Sequence, residues 1–281
     1  MALTSTPTLR GRRLALELRK LREKAGLSQA EAARRVGCDR STLSRIEKPT
    51  IRPEEDDVRA LLQTYGVDAS RHAAILQLLE DSWQRGWWTL YDDAFTGNFV
   101  MLEAQAPDIR MYETTLVPGL FQTPEYARFV YSNRQGVTGS DLDRLVEARM
   151  TRKKILHQAS PPTVHAVIHE AALSHRIGDP DLMRGQISEL WSLAVTRSNV
   201  SLQVLPVTAA VPPAALMGAF TLFLFPDDHG LDVAHAEGLL GEGYAENAAD
   251  LARTRVAFEH VSRAAMPAEE SAEWLAARTR E

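Results

Sequence analysis

Residues 27–47 read LSQAEAARRVGCDRSTLSRIE, two short amphipathic segments that meet at Gly37-Cys38. Ser28 stands where a helix N-cap belongs, and Glu31, three residues on, completes a capping box. The spacing predicts a helix that turns Ala32, Ala33 and Val36 inward and stops at Gly37. Asp39 is placed to cap the next helix. On that helix Leu43 and Ile46 face inward, while Arg40, Ser41, Ser44 and Arg45 face out. The flanks extend the pattern. LALELRKLREKA (14–25) sets Leu14, Leu18, Leu21 and Ala25 on one face with charges opposite, and Gly26 ends it. Pro53 opens a fourth helix through Leu61, Leu62 and Tyr65, closed by Gly66. A fifth, from about Ser70, carries Ile75, Leu76, Leu79 and Trp83. Residues 1–82 are therefore expected to form an all-α domain of five helices.

Charge sets this domain apart. The chain of 281 residues has a formal net charge of −5, yet residues 1–52 hold 13 basic and 5 acidic side chains. That segment carries +8 and leaves −13 for the remainder. A basic module on an acidic body steers its own end toward a polyanion and keeps the body away from it. The single cysteine, Cys38, excludes an internal disulfide framework and fits a reducing cytosol. The opening MALTSTPTLRGRR lacks an apolar signal core, and no later apolar run reaches membrane-spanning length. A cytoplasmic protein with no membrane partner is expected.

Two helices joined by a tight turn, the second with short polar and cationic residues outward, form a helix-turn-helix pattern. A recognition helix enters the major groove, so its outward side chains must let the backbone approach. Some must also donate in the fork that matches guanine O6 and N7. Arg40 and Arg45 can donate in this way. Ser41 and Ser44 are small and can bond to bases or phosphate, and Thr42 is counted with them. Ser28 and Gln29, at the start of the preceding helix, set amide groups beside the phosphate backbone. The stretch resembles the phage-repressor-like (XRE) helix-turn-helix family. The resemblance implies that Gln29 opens the second helix, that Glu47 ends the recognition helix, and that Arg22 forms a buried ion pair with Glu47. Where the family follows that glutamate with a residue and glycine, this chain has Lys48-Pro49. The expected partner is double-stranded DNA. One recognition helix reads only a few base pairs, so a homodimer on an inverted-repeat operator is expected.

Beyond QRGWW (84–88) the pattern changes. DIRMYETT (108–115), PTVHAVIHE (162–170), VSLQVLPV (200–207), AFTLFLFP (219–226) and LDVAHAE (231–237) are β-type runs bounded by Pro, Gly and Asp. TPEYARFVYSNR (123–134), SDLDRLVEARMTRKKILHQ (140–158) and DPDLMRGQISELWSLAVTRSN (179–199) read as helices. A long helix from about Ala245 to Ala265 and a shorter one from Ala268 close the chain, and VPPAALMG (211–218) is a loop. The mixed order predicts an α+β regulatory and dimerisation domain over residues 83–281, and the fold class of the whole is α+β.

Glu103-Ala104, Tyr112-Glu113 and VPGLFQTPEYAR (117–128) carry a second resemblance. They are similar to the domain that follows this DNA-binding module in actinobacterial regulators, the WhiJ-type and antitoxin-like proteins encoded beside small partner proteins. SLQVLPV, FTLFLFP and the strand ending at Glu237 fit the same pattern, with His235 where the family often has tyrosine. The resemblance implies a small protein partner encoded nearby. The competing readings are a one-component regulator that senses a small-molecule ligand and a mainly oligomerising module. Glu103, Tyr112, Glu113 and Glu237 are candidates for a regulatory pocket. The alternative for the glutamates is salt bridging to arginines such as Arg128 or Arg149. PGLFQTPEYA reads as a structural corner or a ligand site, with Thr123 as N-cap and Pro124 in the first turn.

Enzyme readings fare badly. HEAALSH (169–175) sets its histidines six residues apart, whereas four would put both imidazoles on one helix face. His165 and His169 have that spacing but lie on a predicted strand, about 13 Å apart and too far for one metal. GLLGEG (238–243) lacks the strand-to-helix order of a phosphate loop. No nucleophile, acid or metal constellation emerges, so a non-enzymatic chain without metal or cofactor is expected. Gly86-Trp87-Trp88 is an aromatic stacking platform or a buried domain junction. Cys38 is a packing residue or a redox sensor.

Overall fold

The structure, a computed structural model, describes residues 9–48, 51, 53–82, 91, 98–134, 137–175, 177–210, 218–226, 231–238 and 241–280. One compact unit lies within residues 1–89 and a second is built from residues 90–225 and 232–281. Trp83, the QRGWW segment and all of VPPAALMG except Gly218 fall outside the described residues, as do Pro49 and the two leucines of GLLGEG.

Caps and apolar spacing build the first unit. It consists of α1 (Leu9–Lys24), α2 (Gln29–Val36), α3 (Arg40–Glu47), α4 (Glu55–Thr64) and α5 (Ala69–Asp81). The Ser28 hydroxyl accepts from the Glu31 amide at 3.2 Å, and the Glu31 carboxylate accepts from the Ser28 amide at 2.9 Å. Gly37 ends α2 at φ 83°, a left-handed conformation that costs a β-carbon dearly. Leu14, Leu18, Leu21, Ala32, Ala33, Leu43, Ile46, Leu61, Leu62, Ile75 and Leu79 share one core. Three expectations need correcting. Ala25 is exposed, because α1 stops at Lys24 and the chain turns away from the stripe. Asp39 occupies the N-cap position of α3, but its side chain makes no capping bond. Pro53 is buried just ahead of α4, whose N-cap position is taken by Glu54.

The second unit is α+β. Its six strands are β1 (Asp108–Glu113), β2 (Thr163–His169), β3 (Val200–Leu205), β4 (Phe220–Leu224), β5 (Val233–Gly238) and β6 (Gly241–Ala245). They form one sheet in the order β3-β2-β1-β4-β5-β6. β1, β2 and β3 run parallel; β4 pairs antiparallel with β1, β5 with β4 and β6 with β5. The parallel pairs require crossovers. α7 (Pro124–Ser132) and α8 (Gly139–Lys153) make the first, and α9 (Glu170–Ser174) and α10 (Pro180–Thr196) the second. α6 (Phe99–Gln105) precedes the sheet, and α11 (Ala248–Ala264) and α12 (Ala268–Arg278) follow it. α6, α9 and β6 are not foreshadowed by periodicity. α6 and α9 are short, and β6, with the sequence GEGYA, gains its order by pairing with β5.

Alternation along each strand separates two faces. Tyr112, Val167, Leu205, Phe220, Leu222, Leu224 and Ala234 pack beneath Leu251, Phe258 and Val261 of α11. The intervening residues turn to the other face, where Phe99 of α6 meets Phe223 and His235 edge-on at 5.2 and 4.7 Å. Gln203 fastens β3 to the end of α11. Its amide donates to the carbonyls of Ser262 (3.1 Å) and Met266 (3.0 Å). Its oxygen accepts from the Ser262 hydroxyl at 2.7 Å and lies 2.7 Å from His165 Nε2.

Truncating Gln203 strands those part-buried partners together. Gln203→Ala is expected to cost about 3 kcal/mol in denaturant unfolding, because each orphaned polar group costs about 1–3 kcal/mol. A loss under about 0.5 kcal/mol, typical of an exposed site, would contradict this account.

Candidate nucleic-acid interface and ligand pocket

One buried carboxylate sets the pose of α3. Glu47, the last residue of that helix, has a side chain only 2% exposed. Arg22 of α1 donates to it through Nε at 2.6 Å and Nη2 at 3.0 Å, and its Nη1 donates to the Leu27 carbonyl at 2.8 Å. Gln29, the first residue of α2, donates from Nε2 to Glu47 at 2.8 Å. The three helices are thereby tied at one point. A fork-shaped pair satisfies both ions in a place where a lone charge would be costly. Its hydrogen bond to Glu47 holds the Arg22 guanidinium above its ordinary value.

With its inner face fixed in this way, α3 presents Arg40, Ser41 and Arg45 to solvent and leaves Thr42 and Ser44 half-exposed. Arg45 Nη2 donates to the Thr42 hydroxyl at 3.3 Å, so Thr42 helps to orient a neighbour. Ser28 spends an acceptor on its cap. The Gln29 side chain belongs to the Glu47 network, a role the sequence did not disclose because its partner lies 18 positions away. Cys38 packs half-buried against the helical core. Burial, with Asp57 and Asp39 nearby, raises its thiol pKa, so the packing reading fits better than a reactive thiolate.

The second unit holds a cavity of about 550 Å³ on the sheet face that α11 leaves uncovered. Glu113 of β1, Glu237 of β5 and Glu242 of β6 line it, with Arg149 and Arg152 of α8. Of the expected pocket residues, Glu113 and Glu237 are brought together here. Glu103 sits behind the wall and is held by both arms of Arg152, including Nη2 to Oε1 at 2.8 Å. Its partner is therefore neither Arg128, which pairs with Asp143 at 2.6 Å, nor Arg149, which donates twice to the Tyr131 hydroxyl at 2.9 and 2.6 Å. Tyr112 is not part of the pocket. Adjacent to Glu113 on one strand, it must face the opposite side, where it packs on Phe220 at 5.8 Å.

Two buried polar atoms of the lining, Gln122 Oε1 and His235 Nε2, have no hydrogen-bond partner among the described residues. Gln122 donates from Nε2 to the Val117 carbonyl at 2.8 Å, which fixes its amide and leaves the oxygen unmatched. His235 Nε2 stands 3.8 Å from Glu242, beyond hydrogen-bond reach, and burial lowers the pKa of the ring. Sequence reasoning missed Arg149 and Arg152 as pocket residues, while Gln122 lies in the PGLFQTPEYA stretch, which reads as a corner or a ligand site. The one available signal was the three-residue spacing of the two arginines, which places them on the same face of a helix.

PGLFQTPEYA is a braced corner that also walls the cavity. The Val117 amide donates to the Tyr126 hydroxyl at 3.1 Å. Thr123 caps α7 with Pro124 in the first turn, and Gln186 clamps Phe121 and Thr123 at 2.8 Å each. A β-carbon on Gly119 would meet the Arg149 guanidinium in its present position, so glycine leaves room for that side chain at the cavity. His165 and His169 serve structure. The first faces Gln203, and the second accepts at Nδ1 from the Ala171 amide at 3.1 Å.

Arg22→Ala leaves Glu47 buried and unpaired, and should destabilise the protein by about 3–5 kcal/mol in thermal unfolding. Arg22→Lys, which lacks the fork, should recover only part of that. Near-wild-type unfolding of Arg22→Ala would contradict the role given to the pair. Burial and the Glu237 charge push the Glu113 carboxyl up to about 7, against the opposing pull of Arg152 and Arg149. The folded state therefore holds this proton longer than the unfolded chain does. The associated stability is full below the ordinary carboxylate value and is lost as pH rises through about 7. Glu113→Gln should stabilise the protein at pH 8 by up to about 3 kcal/mol and change it little near pH 4. Identical pH slopes for both proteins between pH 5 and 8 would refute this.

No helix among the described residues is long and apolar enough to cross a membrane. Residues 13–75 match a helix-turn-helix domain, and residues 96–277 match the domain of unknown function DUF5753. No curated protein matches the chain, and no solved structure does. Because the second match spans well over half of its length, the chain belongs to the DUF5753 family, with a helix-turn-helix domain at its N-terminal end.

Proposed function

We propose that the protein is a sequence-specific, DNA-binding transcriptional regulator of the phage-repressor-like type, acting in the cytoplasm as a homodimer on an inverted-repeat operator. The observation that carries this reading is the exposed face of α3. Arg40, Ser41 and Arg45 stand outward on a short helix whose inner end is locked by the Arg22–Glu47–Gln29 network. The excess of +8 over residues 1–52 supplies the phosphate attraction. The helix-turn-helix match over residues 13–75 supports the same assignment.

The acidic second unit controls the DNA-binding unit and carries no catalysis of its own. Resemblance to WhiJ-type and antitoxin-like regulators favours a small protein encoded nearby as its partner, together with dimerisation. A second reading, sensing of a small molecule, is favoured by the cavity of about 550 Å³ with its two unmatched buried polar atoms. That volume lies within the usual range of small-molecule sites.

Genome-wide DNA pull-down would supply the operator, and titration of it tests the assignment. With about 5 phosphate contacts, the log–log salt dependence of binding should have a slope of about −4 to −5. Arg40→Ala and Arg45→Ala should each cost about 1–3 kcal/mol on the operator and relax preference at one base position. Equal loss on operator and scrambled DNA would remove the base-reading role. A sedimenting monomer at operator-binding concentrations would remove the dimer.

A further inference from the structure

We propose that the cavity of the second unit binds a zwitterionic small molecule of the amino-acid or short-peptide class, an ammonium and an anionic group on an apolar body. The inference rests on the ligand-sensing reading and specifies the ligand's chemistry.

The lining carries both signs of charge, from different elements. Its carboxylates come from the sheet, Glu113 on β1, Glu237 on β5 and Glu242 on β6. Glu237 and Glu242 stand directly opposite each other in the β5–β6 register, a like-charge arrangement that weakens a strand pair. An ammonium bound between the sheet carboxylates offsets that repulsion and brings several N–H donors to a region rich in acceptors. Gln122, a residue 3% exposed, adds an amide oxygen with no hydrogen-bond partner among the described residues.

The cationic side of the cavity belongs to the helices. Arg152 is committed to Glu103. Arg149 is not paired with a carboxylate among the described residues. Its Nε and Nη2 both donate to the Tyr131 hydroxyl, and its remaining terminus approaches Gly119, where no β-carbon obstructs it. Arg134, exposed just beyond α7, adds a second cation to that side. An anionic group bound at Arg149 supplies the missing counter-charge. His235, a residue 6% exposed, adds a ring nitrogen, Nε2, that has no hydrogen-bond partner among the described residues. Phe99, Leu116, Val117 and Val130 give the body of the molecule an apolar wall. A ligand bearing one charge satisfies only one side of this cavity.

The test uses the full-length protein and ligand-observed NMR. The probes are the common amino acids and their dipeptides, each compared with its amine-only and acid-only analogues; for phenylalanine these are 2-phenylethylamine and 3-phenylpropionate. At least one zwitterion should bind roughly tenfold or more tightly than either analogue. Glu237→Gln, at an exposed position, should weaken the zwitterion and the amine but not the acid. Arg149→Gln should weaken the zwitterion and the acid but not the amine, with thermal unfolding confirming that both variants are folded. The proposal is overturned if no zwitterion exceeds its own analogues, or if binding is indifferent to Glu237→Gln. Operator titration with and without ligand separates this inference from the reading beneath it. A zwitterion that binds as described without altering operator affinity supports the ligand class and removes sensing. Singly charged analogues that bind equally well and do alter operator affinity overturn the ligand class and leave sensing intact.

Discussion

Glu47 is a carboxylate in a place where carboxylates do not belong, at the inward end of a short helix in a small apolar core. Arg22 and Gln29 make that position tolerable, and in doing so they join α1, α2 and α3 at one point. A buried ion pair adds little net stability over an apolar substitute of the same size, but its geometry is exacting. Leucines alone would let α3 roll about its axis at small cost. A guanidinium fork against a carboxylate does not. The direction in which Arg40, Ser41 and Arg45 project follows from that constraint, which makes the pair a device for aiming side chains more than for holding the core together.

A second pair of the same kind stands in the other unit. Glu103 and Arg152 are buried together, and Arg152 also lies over the Phe99 ring at 4.9 Å. Phe99 in turn meets Phe223 and His235. The chain thus fixes one wall of a polar cavity by the same means that it uses to fix a recognition helix, with a planar cation gripped on both edges and backed by apolar surface. The sheet divides the rest of the work by alternation. One face is dry beneath α11, and the other gathers the glutamates and the histidine.

Local rules were legible in the sequence, and non-local ones were not. Ser28 and Glu31 announce α2 because a capping box is complete within four residues, and the apolar spacing of Leu14, Leu18 and Leu21 marks the buried side of α1. Five strands could be read from their β-branched and aromatic runs, whereas β6, with two glycines and a glutamate, owes its form to β5. Tyr112 and Glu113 could not both enter one pocket, and strand alternation alone would have excluded the tyrosine. The choice of Arg152 over Arg149 for Glu103 depends on how α8 is rotated against α6, which no local pattern encodes. Gln29 reads as a surface residue until the fold brings Glu47 beside it.

The two margins of the sheet are finished differently. On β3, the Val204 carbonyl accepts from the Met266 amide and the Val204 amide donates to the Ser271 hydroxyl, so the start of α12 and the turn before it close that edge. On β6, Gly241, Glu242 and Gly243 are exposed. A margin that no described strand covers is a template for any extended peptide, including a nascent copy of the same chain. Glycine and a charged side chain make this template a poor one. Protection against runaway strand pairing therefore comes from architecture on one side and from composition on the other. Mutational drift toward β-branched, uncharged residues at the three exposed positions of β6 would expose the protein to aggregation.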